Sequence, residues 1–196
     1  TPDEFLAIPY DTGTVRDKLN GLIATIGENL SIRRVQKLEK PGVVYVGYTH
    51  GGGRIGVIVG LETAAAYEDV AVTGKDVAMQ IASMNPKFID ESQVDPEYVE
   101  SEKKILVQQA LNEGKPADIV EKMVAGRLKK ELKETCLLEQ KFVKNAEITV
   151  AQYLKEAAAA LNAPLKVAEM LRYEVGEGIE KKEENFAEEV AKQIGG

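Results

Sequence analysis

Residues 43–61 read VVYVGYTHGGGRIGVIVGL, and no other stretch constrains the chain so strongly. Two runs of β-branched and aromatic residues flank a glycine cluster. This is the pattern of a β-hairpin, because Gly51 and Gly52 can take the positive φ angles that a tight primed turn demands. Setting His50 opposite Gly53 places Tyr48 across from Ile55, Val46 from Val57 and Val44 from Val59, so the large apolar residues share one face. A slip of one residue would bring Arg54, Gly56 and Gly60 beside the valines and lose that face. On the other face Gly47 then opposes Gly56, with Gly60 further along. The expectation is a slot without side chains, filled by a helix or loop of the same chain in preference to a partner.

Before the hairpin, residues 1–13 read as irregular. Thr14 with Asp17 caps a helix whose stripe is Val15, Leu19, Leu22, Ile23 and Ile26, and Gly27 stops it. Residues 30–38 alternate loosely and predict a third strand. After the hairpin, residues 62–73 read as a soft connection and 74–84 as a short amphipathic helix closed by Asn85-Pro86. Asp95-Pro96 opens a helix with a stripe of Tyr98, Val99, Ile105, Leu106 and Ala110, and Gly114-Lys115-Pro116 breaks it. A second helix carries Ile119, Val120, Met123, Val124, Leu128 and Leu132, so the two should pack as an antiparallel hairpin. Thr149 caps a further helix. Residues 165–175 read as a strand with Leu165, Val167, Leu171, Tyr173 and Val175 on one face and Glu169 as the exception. Phe186, Val190 and Ile194 then recur at intervals of four, as in a terminal amphipathic helix.

With 196 residues, 44% of them hydrophobic and 29% charged, the composition is that of a soluble globular protein. The net charge of -7 argues against a surface that tracks phosphates, so the partner expected is protein and not nucleic acid. No apolar run approaches a membrane span, and the single cysteine cannot form an internal disulfide, which predicts a cytoplasmic location without a membrane contact. The opening TPDEF, without an initiator methionine, reads as the middle of something longer. Chemistry is sparse: one histidine and one cysteine cannot make a four-ligand zinc site, so neither metal nor cofactor is expected. His50-Gly51-Gly52-Gly53 is similar to an esterase oxyanion-hole motif, but no Gly-x-Ser-x-Gly elbow accompanies it. A phosphate cradle would need a helix after the glycines, where a strand follows instead. By residue type alone His50 is a solvated turn residue and Cys136 a small core residue. The residues by themselves give an α+β scaffold with no catalytic site, consistent with an oligomerising or protein-interaction module.

Five segments in collinear order carry a resemblance: IGENLSIRR (26–34), HGGGRIGV (50–57), GKPADIVEKMVAGRLKK (114–130), LLEQKFV (137–143) and RYEVGEGIEKKEENFAEEV (172–190). Together they resemble bacterial elongation factor Ts. The resemblance implies a guanine-nucleotide exchange factor, not an enzyme of its own, that binds the GTPase elongation factor Tu and loosens its hold on GDP; a homodimer is left open. It implies a three-stranded antiparallel sheet backed by helices, used twice, the second copy interrupted by a coiled coil. The segments would then be 1–42 as the tail of the first copy, 43–87 with 149–176 as the second, 88–148 as the inserted hairpin and 177–196 as a C-terminal module. It further implies that Ile26 and Gly27 press on the GTPase's nucleotide-binding domain, that His50 lies at the interface, and that Phe142 and Val143 face the third domain. Phe186 and Val190 would belong to the module that also reaches the GTPase. Lys141 stands where the family commonly has proline, and the family's Thr-Asp-Phe-Val motif does not occur in these 196 residues.

Overall fold

The computed structural model describes residues 1–179, apart from the side chains of Ala117 and Asp118. The chain divides into two units, the first ending at Pro41 and the second beginning at Gly42.

The first unit is built on local capping. Residues 1–13 are more ordered than their composition suggests: α1 (Pro2–Leu6) is capped by Thr1 and Glu4, and β1 (Pro9–Tyr10) pairs with β2 (Gly13–Thr14). Helix α2 (Val15–Ile26) starts where Thr14 predicts. The Asp17 N–H donates to Thr14 Oγ1 at 3.2 Å and the Thr14 N–H to Asp17 Oδ2 at 2.8 Å, closing a reciprocal capping box. The Thr14 hydroxyl, donating to Asp17 Oδ2 at 2.7 Å, and then the Thr14 N–H hold the Asp17 carboxyl below its ordinary pKa. Gly27 ends the helix in the left-handed region, φ 79°, its N–H donating to Ile23 O at 2.9 Å. Residues 30–38 are not the strand expected of them. No strand among the described residues pairs with them, and the charged Arg33-Arg34 interrupts the alternation that pairing would reward.

The second unit is organised on β3 (Val43–His50), β4 (Ile55–Glu62) and β7 (Lys166–Glu174), an antiparallel sheet in the order β3-β4-β7. The fold is α+β, as expected. The hairpin register differs from the expectation by two residues: Tyr48 faces Val57, Val46 faces Val59, and His50 faces Ile55. The cause is the turn. Four residues, Gly51 to Arg54, make the connection, with the Arg54 N–H donating to Gly51 O at 3.3 Å and all three glycines at positive φ. A shift of two preserves side-chain parity, so Val46, Val57, Val59 and Leu61 still share the buried face. Gly47, however, opposes Ile58 and not Gly56.

Strand β7 corrects the sequence more sharply. A β-bulge lies where Gly60 pairs with Glu169 but Leu61 pairs with Val167, leaving Ala168 extra. Val167 and Leu165 therefore point into the core, whereas Leu171 and Tyr173, pairing with Ile58 and Gly56, lie on the opposite face with Glu169. The single face assumed for this strand is broken at Ala168.

Helix α3 (Tyr67–Met84) covers the buried face and begins seven residues before the expected start at Gly74. Gly74 is an interior position where helix and sheet touch: a Cβ built there would lie 2.5 Å from Val46 Cγ2. Val70, Val77, Ala78 and Ile81 fill the rest of that contact, with Val150 and Leu154 of α6 (Val150–Leu161) beside them. Each of these valine, leucine and isoleucine side chains contributes roughly 1.5–3 kcal/mol by leaving water, before the entropy of ordering it is subtracted.

Between α3 and α6 the chain leaves the sheet as the predicted hairpin, α4 (Pro96–Asn112) against α5 (Ala117–Thr135). Asp95 caps α4 with Pro96 first, as read from sequence. Its small core holds Leu106, Ala110, Val120 and Val124. Ile105 and Ile119, assigned to the buried stripes, are exposed because they lie off the line that faces the partner helix. The chain enters and leaves the insertion side by side: Phe88 and Cys136 form a parallel bridge, with the Leu137 N–H donating to Phe88 O at 2.9 Å. Cys136 is fully buried there, and burial raises its thiol pKa.

Candidate partner-binding surface

Residues 26–27 occupy the end of α2. Ile26 is 54% exposed on the last turn, and the left-handed Gly27 takes the chain sharply away from it. A large aliphatic side chain held in water at a fixed helix end is what a docking contact needs.

His50 is the last residue of β3. Its Nδ1 sits 3.0 Å from the Tyr48 hydroxyl and its ring 6.0 Å from that of Tyr48, so the side chain is steadied two residues back on its own strand. Beyond it the glycine loop is anchored to the third strand, where Arg54 Nε lies 3.5 Å from Glu174 Oε1 and the Val175 N–H donates to Arg54 O at 2.9 Å.

Phe142 and Val143 are held by residues that sequence reasoning missed. Phe142, on β5 (Lys141–Phe142), which pairs with β6 (Asn145–Thr149), is 4% exposed and stacks on Tyr153 with ring centroids 4.2 Å apart, so it supports the turn from inside. Val143, 42% exposed, is the side chain presented. Its position is set by Gln80, which is buried completely: the Val143 N–H donates to Gln80 Oε1 at 2.8 Å, and Gln80 Nε2 donates to Lys141 O at 3.1 Å and to Gln140 Oε1 at 3.0 Å. Gln140 Nε2 in turn donates to Glu134 O. A buried amide whose donors and acceptor are all used is a rigid fixture. On the outer side Lys144 Nζ lies 2.6 Å from Asp76 Oδ1, and the Tyr153 hydroxyl donates to Asp76 Oδ2 at 2.9 Å. Burial, then the Asp76 carboxylate, pushes the Tyr153 pKa up to about 12. The signal for Gln80 was present: it lies on the face of α3 that also holds Val77 and Ile81, where an amide is tolerated only with partners.

No hydrogen bond, ion pair or ring contact among the described residues joins His50 to Phe142 or Val143. Phe186 and Val190, with the helix expected around them, lie outside the described residues. Gly47 and Gly56 line a depression of about 410 Å³ with Ile58, Leu171 and Tyr173, and a Cβ built on either glycine meets nothing within 4 Å. Among the described residues of the second unit, then, no helix or loop fills the slot. Gly60 does not belong to it, since Tyr45 and Val43 cover that position. Among the described residues no group of three or more His, Cys, Asp or Glu is placed to hold a metal, and no helix is long and apolar enough to cross a membrane.

A sequence profile of the family described as elongation factor TS matches residues 1–177. The chain belongs to the elongation factor Ts family. It is similar to the elongation factor Ts of Clostridioides difficile strain 630, with 58% identity over 181 residues covering 92% of this chain and 59% of that protein. The elongation factor Ts of Clostridium novyi strain NT is 50% identical over the same shares, and that of Clostridium perfringens strain ATCC 13124 is 50% identical over all 196 residues and 65% of its own length. The chain thus spans about three fifths of the elongation factor Ts relatives it matches.

Proposed function

We propose that this chain binds the GTPase elongation factor Tu in the cytoplasm and promotes release of its GDP, through Ile26 and Gly27 of the first unit and through His50 and Val143 of the second. The supporting observation is the exposure of Val143 on backbone fixed by the buried Gln80. A protein that spends a satisfied buried amide on holding one valine in water is holding it for a partner. Phe142 backs that residue, and the family resemblance makes Phe186 and Val190 further proposed contacts.

Exchange is a coupling free energy. The factor weakens nucleotide binding by as much as it prefers the empty GTPase over the loaded one, so contacts made equally with both states contribute nothing. The family's Thr-Asp-Phe-Val wedge, the element that reaches the magnesium region, does not occur in these residues. The 196-residue chain should therefore bind the GTPase yet speed GDP release less than a full-length relative at equal saturation. Stopped-flow release of fluorescent GDP measures this. Val143→Asp should weaken binding with the fold intact, whereas absence of binding by the unaltered chain would end the proposal.

A further inference from the structure

The two sides of α5 differ in character. Val120 and Val124 face α4 and are buried, with Leu128 packed beside them. At 3.6 residues per turn, the positions diametrically opposite are Lys122, Gly126, Lys129 and Lys133. All four are exposed. Among the described residues no carboxylate forms an ion pair with Lys122, Lys129 or Lys133. Their neighbours around the helix are paired: Lys130 lies 3.8 Å from Glu134, and Arg127 Nη2 2.9 Å from Glu113. A chain of net charge -7 thus sets out three cations in a row about 16 Å long, with no acid between Lys122 and Lys133 on that line.

Gly126 sits in the middle of the row, and nothing inside the hairpin accounts for it. A Cβ built there meets nothing within 4 Å, and its φ is not positive. Glycine is the poorest helix former after proline, so an interior glycine with no internal contact points to close approach from outside. One turn before Lys122, Ile119 is 47% exposed and supplies an apolar contact at the end of the row.

We propose that the outward face of α5 is a docking surface for an acidic amphipathic helix of another protein, crossing at Gly126 with its carboxylates on Lys122, Lys129 and Lys133. A helix whose acids are spaced by seven and four residues matches the row, and the missing side chain at Gly126 lets the two axes come to about 8 Å. A second copy of this chain does not fit through the same face, since a two-fold axis would set lysines against lysines. A nucleic-acid duplex is disfavoured by the overall charge and has no use for Ile119 or for a gap one residue wide.

The test uses the 196-residue chain and a fluorescent, alanine-based helical peptide with glutamates at that spacing, beside a control peptide with glutamine at those positions. Anisotropy should show binding of the glutamate peptide only, weakening with salt. Replacing Lys122, Lys129 and Lys133 together by glutamine should weaken it by about tenfold or more. Gly126→Leu should also weaken it, while leaving the melting temperature equal or higher because leucine is the better helix former. The proposal is overturned if the triple variant or Gly126→Leu binds as the unaltered chain does. It is equally overturned if the glutamate peptide fails to bind at about 1 mM, or if a DNA duplex of about twenty base pairs outcompetes it at the same lysines.

Discussion

Gly74→Ala is the substitution for which helix propensity and tertiary packing predict opposite signs. On propensity alone, alanine in the interior of α3 should stabilise by about 1 kcal/mol. The structure reverses this. The new methyl would stand 2.5 Å from Val46 Cγ2, 2.7 Å from Val46 Cβ and 3.1 Å from Val46 Cγ1, all on the side chain of a strand residue with no exposed surface. Relief requires α3 to lift from the sheet, loosening Val70, Val77 and Ile81 as well, and overpacking of this kind costs up to about 3 kcal/mol. The expected net change is a destabilisation of about 2 kcal/mol, which at an m-value near 2 kcal/mol/M moves the urea midpoint down by about 1 M. Val46→Ala removes two of the three crowded atoms. By itself it should cost about 2 kcal/mol through the cavity it leaves, but the double variant should be more stable than the sum of the singles by at least about 1 kcal/mol. Urea unfolding of the four proteins, followed by circular dichroism, supplies the cycle. Additivity within about 0.5 kcal/mol, or a Gly74→Ala chain more stable than its parent, would refute the claim that this glycine exists to let the helix touch the strand.

Gln80→Leu should destabilise by about 2 kcal/mol, because it orphans the Val143 N–H and the Lys141 carbonyl while filling the same volume. Hydrogen exchange should show the Val143 amide deprotected more than the rest of the unit. Gly56→Val should leave the melting temperature unchanged or slightly raised, since the open slot accepts the side chain and valine suits a strand; a marked drop would show that the slot is filled. Tyr153 has a folded pKa raised to about 12 above an ordinary value near 10, so its stabilisation is complete below pH 10 and is lost as pH climbs towards 12. Melting curves should therefore fall over that window more steeply for the parent than for Tyr153→Phe. In the hairpin, burial first and then the neighbouring Glu102 raise the Glu131 pKa, so its charged form is the disfavoured one. Glu131→Gln should stabilise the chain at pH 7, and the advantage should vanish below the ordinary carboxylate range.

What the sequence disclosed depended on whether the signal was local. The Thr14–Asp17 and Asp95–Pro96 starts were legible because capping is decided within four residues, and the buried face of the hairpin because parity survives a shift of two. The register itself was not. Three consecutive glycines allow turns of more than one length, and only the pairing of β4 with both neighbours selects one. Likewise the bulge at Ala168 is imposed by that pairing, so an alternation count placed Leu171 and Tyr173 on the wrong side. Gly74 reads as a boundary because glycine commonly is one; its actual role depends on Val46, a residue of another element. At the candidate surface, Ile26 and Val143 could be named from the family's motifs, but Gln80, which holds the valine in place, could be found only by asking what a buried amide bonds to.

The parallel bridge of Phe88 and Cys136 also bears on how the chain finds its fold. Strands β4 and β7 are neighbours in the sheet although about 110 residues separate Val59 from Met170 along the chain, a span whose closure makes sheet formation slow. Helical hairpins form from local contacts and form early. Once α4 and α5 have paired and their ends have met at Phe88 and Cys136, the insertion no longer counts as free chain, and the search distance between the strands falls by nearly half. The entropic saving is only about 0.5 kcal/mol. By the same arithmetic, lengthening or shortening the arm by whole turns should scarcely change the rate at which the sheet assembles, provided that its two ends still emerge together.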